Sequence, residues 1–372
     1  MAIGVRRAML PVAIAAVLLA VIGAGGGASA AVNAAAGIGA GQALAGETSN
    51  GPFNLDLAGS LQLALKLNPG HRAALLDLEY ARMELAKVEA DNALNASAVA
   101  LRQAQARAAS AETSVGVQER QLRLDVQTAY FGALNADAGL ELAKKSVEQA
   151  KDSLRIVKLK KNEGLATNLD VLNAEKILLQ AENGLVTARD TVALAGLNLA
   201  KALGVDLNAK LDLKNEEFQY QKLSINEDEF AKKALAASFD LRQKRDSLEV
   251  AQMQAKFSAN DYTAPLVARM AANRSESAGL AALEAEREVM AQVKGLLNGL
   301  RQAEAGLKLA QKEQEIDAEN YRVTRARYEN GLEIPNILLA AQVQLDRSRQ
   351  AARQALFDYL LARTRLLNYL GE

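Results

Sequence analysis

Few residues in this chain could make or break bonds. It has one histidine, His71, and no cysteine. Nucleophilic catalysis needs a hydroxyl or thiol beside a base, with a third group orienting that base. With a single histidine and no thiol, no such set is evident. A zinc site built from several histidines or thiolates cannot form within one chain. The missing cysteines also exclude a disulfide framework and a lipid-bearing cysteine. The run Leu283-Glu284-Ala285-Glu286-Arg287-Glu288 gathers three carboxylates without a histidine, and it reads as a solvated helix face. His71 follows Pro69-Gly70 and reads as a surface histidine at a helix start. Lys158, Lys160 and Lys161 sit where a helix C-terminus favours cations. The expectation is a non-enzyme with no cofactor and no metal.

Charge and hydropathy narrow the class further. The 44 basic and 44 acidic residues cancel, so the basic excess of a nucleic-acid binder is missing. Arg6 and Arg7 precede an apolar run from Ala8 to Ile22, and Ala28-Ser29-Ala30 offers small residues for cleavage. That pattern predicts a signal peptide over 1–30 and an exported protein. The Ala- and Gly-rich stretch 31–54 carries no period and reads as a flexible leader.

The remainder must supply the elements. Proline occurs only at 11, 52, 69, 265 and 335, so nothing between Pro69 and Pro265 forbids a helix. The residues there are mostly Ala, Leu, Lys, Glu, Gln and Arg, strong helix formers. Lys210–Lys214 and Phe218–Gln221 alternate polar and apolar residues and are the best strand candidates.

The chain repeats itself. Asn162-Glu163-Gly164-Leu165 returns as Glu329-Asn330-Gly331-Leu332, a shift of 167 from Gly164 to Gly331. The same shift carries Leu203-Gly204 onto Leu370-Gly371, while Leu65, Arg72 and Met83 map onto Leu235, Arg242 and Met253 with a shift of 170. The predicted domains are helical repeat one (55–204), a linker with short strands (205–223) and helical repeat two (224–372).

After Gly164 a strict heptad appears. Val171, Leu178, Leu185, Val192 and Leu199 form one column, and Ala174, Ala181, Ala188, Ala195 and Ala202 a second. A third column, Leu172, Leu179, Val186, Ala193 and Ala200, adjoins the first, so this helix can touch neighbours on two sides. The helix before Gly164 is predicted from about Ala98 to Lys161, on the order of 100 Å at 1.5 Å per residue. Asn168 is placed to cap the helix that follows. The fold class expected is all-α: long antiparallel coiled-coil hairpins in two tandem copies forming a helical barrel, with at most a small strand element near 210–221.

In this arrangement the sequence resembles the TolC-like outer-membrane efflux protein family. The resemblance is carried by Leu57–Pro69, an opening helix ending in Asn-Pro; by Val126-Gln127-Thr128-Ala129-Tyr130-Phe131-Gly132-Ala133-Leu134; and by the turn from Gly164 to Glu175. It covers residues 55–372. It implies a homotrimer whose helical barrel lies in the periplasm, working with a periplasmic adaptor (membrane fusion) protein and an inner-membrane pump. Gly164, Leu165, Asp170 and Val171 would lie at one adaptor-docking tip turn, and Gly331, Leu332, Pro335 and Leu338 at the other. Where the family's second tip narrows the pore with two aspartates, this chain has Ile337 and Ala340. The family also inserts a β-hairpin between its first and second helices in each copy, forming a membrane barrel. Here residues 91–121 hold no aromatic and 258–290 only Tyr262, far from alternating strands with aromatic girdles. Short turns near Asn92–Ser97 and Tyr262–Gly279 are expected instead. The function expected is a periplasmic conduit of an efflux or type I secretion assembly. The alternative is a structural coiled-coil spacer or tether without a lumen.

Overall fold

The computed structural model describes residues 53–94, 97–214, 217–224 and 226–371. The expected signal peptide and the leader as far as residue 52 lie outside the described residues. From residue 53 onward the elements run β1 (Phe53–Leu55), α1 (Leu57–Leu67), α2 (Pro69–Leu94), α3 (Ala98–Asn162), α4 (Asn168–Leu203), β2 (Leu211–Leu213), α5 (Glu227–Ala237), α6 (Phe239–Ser258), α7 (Pro265–Glu329) and α8 (Pro335–Tyr369). This is the repeated all-helical hairpin architecture that the heptads predict.

Each repeat opens with two helices rather than one. The break falls at Asn68, whose Oδ1 accepts from Gly70 N (2.9 Å) and His71 N (3.2 Å). Proline then begins α2 at the first helical position, where its missing N–H costs nothing. In repeat two Ser238 takes the same place, its Oγ accepting from Leu241 N at 3.2 Å. A proline signals the first break but not the second.

The long helices α3 and α7 each contain 65 residues, close to 100 Å. Their equal length locates the three-residue difference between the copies. From Pro69 to Ala98 is 29 positions, and from Phe239 to Pro265 is 26. The deletion therefore lies between the second and third helices of the repeat. Everything after it keeps the 167 shift. The junction in repeat two is also tighter than the sequence reading placed it. It occupies 259–264, and Gly279 lies inside α7 because Pro265 already starts that helix.

The helices form a layer. α3 packs on α4 and α8 in the half bearing the glycine turns, and on α2 and α6 in the other half, while α7 packs on α8 and α6. The order across the layer is thus α4–α3–α8–α7 at one end and α2–α3–α6–α7 at the other. Lys145 Nζ meets Asp346 Oδ2 at 2.6 Å, and Arg353 Nη2 donates to Leu134 O at 3.2 Å. This antiparallel register of α3 and α8 puts both glycine turns at the same end.

The core is concentrated at mid-height, where the paired helices end and α1, α5 and the strands pack on the long ones. One cluster gathers Ala64, Leu122, Val126, Tyr130, Phe131, Leu199 and Leu203; a second gathers Phe230, Leu241, Val293, Leu297, Leu300, Tyr359 and Leu366. Gly204 ends α4 with φ 77°, and a Cβ there would lie 2.7 Å from Leu67 O and 2.8 Å from Asn68 Cα. Glycine is required both for the left-handed backbone and for this close approach. Asn68 Nδ2 completes the join by donating to Ala202 O at 3.0 Å.

The strands differ from the expectation. β2 is only Leu211–Leu213, and it pairs in parallel with Phe53–Leu55, a segment read from sequence as leader and helix approach. Tyr130 Oη clamps the pair, donating to Lys214 O at 2.8 Å and lying 3.3 Å from Leu55 O. Phe218–Gln221 does not form a strand. Its alternation places the Phe218 ring edge-on against Phe131 and Phe357, and Tyr220 against Tyr359.

Candidate functional site

The two tip turns are built alike. Gly164 and Gly331 take φ 75° and 72°. Leu165 N donates to Lys160 O and Gly164 N to Lys161 O, matched by Leu332 N to Arg327 O and Gly331 N to Tyr328 O. These bonds satisfy the carbonyls that a helix end leaves open. Leu165 and Leu332 follow directly and are 74% and 71% exposed. Leu169, Ile334 and Ile337 add exposed apolar surface at the same end.

The other tip residues divide by role. Thr167, not Asn168, caps α4: Asp170 N donates to Thr167 Oγ1 (3.2 Å), and Thr167 N to Asp170 Oδ2 (2.7 Å). Asp170 is thus half of a capping box. The Thr167 backbone and hydroxyl bonds hold its carboxyl below the usual carboxylate range. Val171 is buried, so it supports the turn from within instead of facing outward. Pro335 occupies the first turn of α8 and is exposed, whereas Leu338 is half-buried. Ile337 and Ala340 are both exposed.

The edges of the layer carry a second feature. On α4 the third heptad column is open toward the tip: Leu172, Leu179 and Val186 are 62%, 61% and 55% exposed. On α7, Leu309, Ile316 and Val323 are exposed with the same seven-residue spacing. The α7 column was missed in the sequence, although its spacing could have revealed it. α4 runs away from the tips and α7 toward them. Leu172 lies in the second turn of α4, and Val323 about two turns before the end of α7.

Between α4 and α8 the layer has a groove floored by Gly132, Ala136, Gly139 and Ala143 of α3, with Ala181 and Ala188 on one wall. These two alanines therefore border open space, unlike Ala174, which is buried. On α8 the partly buried Arg353 faces Asp137 of α3; desolvation pushes the Asp137 carboxyl up and the Arg353 guanidinium down.

His71 is not at the surface. It is buried at the position equivalent to Leu241, with Nε2 3.8 Å from Glu119 Oε1. The Asn68 break turns its side chain toward α3. Lys158 pairs with Glu175 across the first hairpin at 3.0 Å. In the acidic run of α7, Glu286 lies 3.5 Å from Arg245, while Glu284 and Glu288 face solvent. Among the described residues no group of three His, Cys, Asp or Glu side chains could hold a metal.

A layer of two long-helix hairpins with glycine tips at one end is the fold of outer-membrane efflux channels. The chain is similar to the Campylobacter jejuni CmeC outer membrane channel at TM-score 0.67 and 14% identity, over 85% of each chain. It is similar to a membrane protein from Pseudomonas aeruginosa at TM-score 0.63 and 18% identity, covering 84% of this chain and 93% of that one. It also matches the open state of the Neisseria gonorrhoeae MtrE outer membrane channel at TM-score 0.63 and 16% identity, over 85% and 88%. No curated protein matches. Residues 92–205, comprising α3, the first tip and α4, match the outer membrane efflux protein family. The resemblance to the TolC-like family thus holds in sequence for that hairpin and in fold for most of the chain.

Proposed function

We propose that this chain is the conduit component of a TolC-like efflux or type I secretion assembly, closed as a homotrimeric ring. The observation that carries the reading is the pair of open edges. Leu172, Leu179 and Val186 on α4, and Leu309, Ile316 and Val323 on α7, share one spacing and run antiparallel. Placed side by side between two copies, they interleave as α3 and α8 do within one. Such a contact joins unlike surfaces, and a head-to-tail contact closes into a ring when its rotation allows. A lumenless spacer would leave both columns in water, which is costly for contiguous apolar surface. The count of three comes from the family resemblance.

The exposed leucines at the tips then face a periplasmic adaptor protein, which links the ring to an inner-membrane pump. Exported and periplasmic or outer-membrane associated is the location consistent with this role. The two junctions opposite the tips support a conduit without its own membrane barrel. A membrane-spanning strand needs about 9–11 residues, and the 259–264 link has room for none.

The chain lacks cysteine, so a disulfide tests the edge directly. Leu179→Cys combined with Ile316→Cys should give covalent species ending at three chains under mild oxidation. α4 and α7 lie on opposite edges of one protomer, so an intrachain bond cannot form. A chain that stays monomeric in light scattering and forms no intermolecular disulfide would remove the conduit and leave the spacer.

A further inference from the structure

Among the described residues, the end of the layer opposite the tips carries an exposed apolar cluster in repeat two only. Phe257 closes α6, Tyr262 sits in the link, and Leu266, Val267 and Met270 occupy the first turns of α7. Each is more than half exposed, and Tyr262 is as exposed as in an extended chain. The link that presents Tyr262 is braced. Asn260 Oδ1 accepts from Tyr262 N at 2.9 Å and from Thr263 Oγ1 at 3.1 Å, and Asn260 Nδ2 donates to Phe257 O at 2.7 Å. Repeat one holds nothing comparable: Lys87, Val99, Ala100 and Gln103 stand where repeat two has Phe257, Leu266, Val267 and Met270.

A neighbouring copy does not account for these residues. Higher on the edges, exposed Leu76, Tyr80 and Met83 of α2 offer apolar cover at the height of Leu280 and Leu283 of α7. At the apex the α2 side carries Lys87, Glu89 and Asp91 instead. The apolar stretch itself carries charge mainly of one sign. Between 256 and 274, Lys256, Arg269 and Arg274 stand against Asp261 alone. α7 also begins without a side-chain cap, leaving the positive end of its dipole bare.

From this geometry we infer that the apex of repeat two rests on an anionic lipid surface. Exposed aromatic and aliphatic side chains flanked by cations are what the headgroup boundary of a bilayer accepts. No helix among the described residues is long and apolar enough to cross a membrane, and the 259–264 link is too short for a spanning strand of about 9–11 residues, so this contact is peripheral. Ring closure would present several apices to one surface, and their binding would reinforce one another. The inference itself needs only one chain, and the edge disulfide reports on the ring separately.

The chain contains no tryptophan, so Tyr262→Trp places a single tryptophan at the apex, excited selectively at wavelengths its tyrosines do not absorb. Its emission should shift to the blue, and iodide should quench it less, on vesicles containing phosphatidylglycerol. Pure phosphatidylcholine should give a much weaker response, and salt should reverse the shift. Adding Leu266→Asp and Met270→Asp should weaken vesicle binding at this reporter at least tenfold with unchanged circular dichroism. Because the signal arises at position 262, lipid binding elsewhere in the chain does not imitate it. Emission that stays water-like at saturating anionic vesicles would overturn the proposal. A blue shift that grows with protein concentration without lipid would also overturn it, by showing that the apex is covered by protein.

Discussion

Phe131 and Phe357 stack, their ring centroids 4.2 Å apart and their planes 3° from parallel. The pair ties the long helix of the first repeat to the returning helix of the second. The Phe218 ring sits edge-on to both, with centroids at 4.9 and 5.6 Å, and completes the cluster. Phe131→Ala should cost about 3–5 kcal/mol, the usual range for emptying a buried aromatic site. Thermal unfolding measures this; a melting temperature within a degree of wild type would mean that the repeats are held together elsewhere.

Gly204 and Gly164 make a controlled comparison. Both have positive φ, but a Cβ at Gly164 meets nothing within 4 Å, whereas at Gly204 it strikes the backbone of Leu67 and Asn68. Gly164→Ala should cost only the left-handed penalty, roughly 1 kcal/mol. Gly204→Ala should cost clearly more and should loosen α1 against α4. Equal losses in denaturant melts would argue against the close approach.

Arg102 joins α3 to α6, with Nη2 at 2.9 Å from Asp246 Oδ1 and 2.6 Å from Glu249 Oε2. Its hydrogen bonds hold the Glu249 carboxyl below the ordinary glutamate range. A depressed carboxylate contributes stability above its unfolded pKa, and that contribution fades as pH falls through the folded value. Arg102→Ala should therefore lower the melting temperature most near about pH 7, and the difference should shrink below about pH 4. A gap that is constant across that range would assign the loss to packing instead of charge.

On the proposed function, Leu165→Asp together with Leu332→Asp at the tips should weaken capture of a cognate adaptor protein by tenfold or more while leaving helicity unchanged. Crosslinking yield against adaptor concentration reads this out. Identical curves for variant and parent would relocate docking away from the glycine turns.

What could be read in the sequence was local. Heptad columns, glycine turns and the Asn68-Pro69 break each lie within one helix or one turn, so spacing and backbone preference reveal them. Features that depend on a distant partner were hidden. Phe53–Leu55 is a strand only because Leu211–Leu213 lies beside it, and Phe218–Gln221 is not one, its Phe218 ring packing against two rings on other helices. His71 looked like a surface residue because nothing in its neighbours announces that α2 leans on α3. Val171 was grouped with the tip residues because it is near them in sequence; burial separates it, whereas Asp170 stays exposed at the tip and also caps α4.

The equal 65-residue spans of α3 and α7 also constrain how this chain can evolve. One inserted residue rotates everything beyond it by about 100° around the helix axis. An insertion between Leu309 and Ile316 would swing the lower half of that column off its edge and push one tip out of line with the other. Steps of whole repeats, seven residues first among them, leave the columns facing as they do, and a step taken in α3 must be repeated in α7 and in both returning helices. Length change in the long helices is thus quantised and must be shared, whereas the apex junctions, where the copies already differ by three residues, can drift one residue at a time.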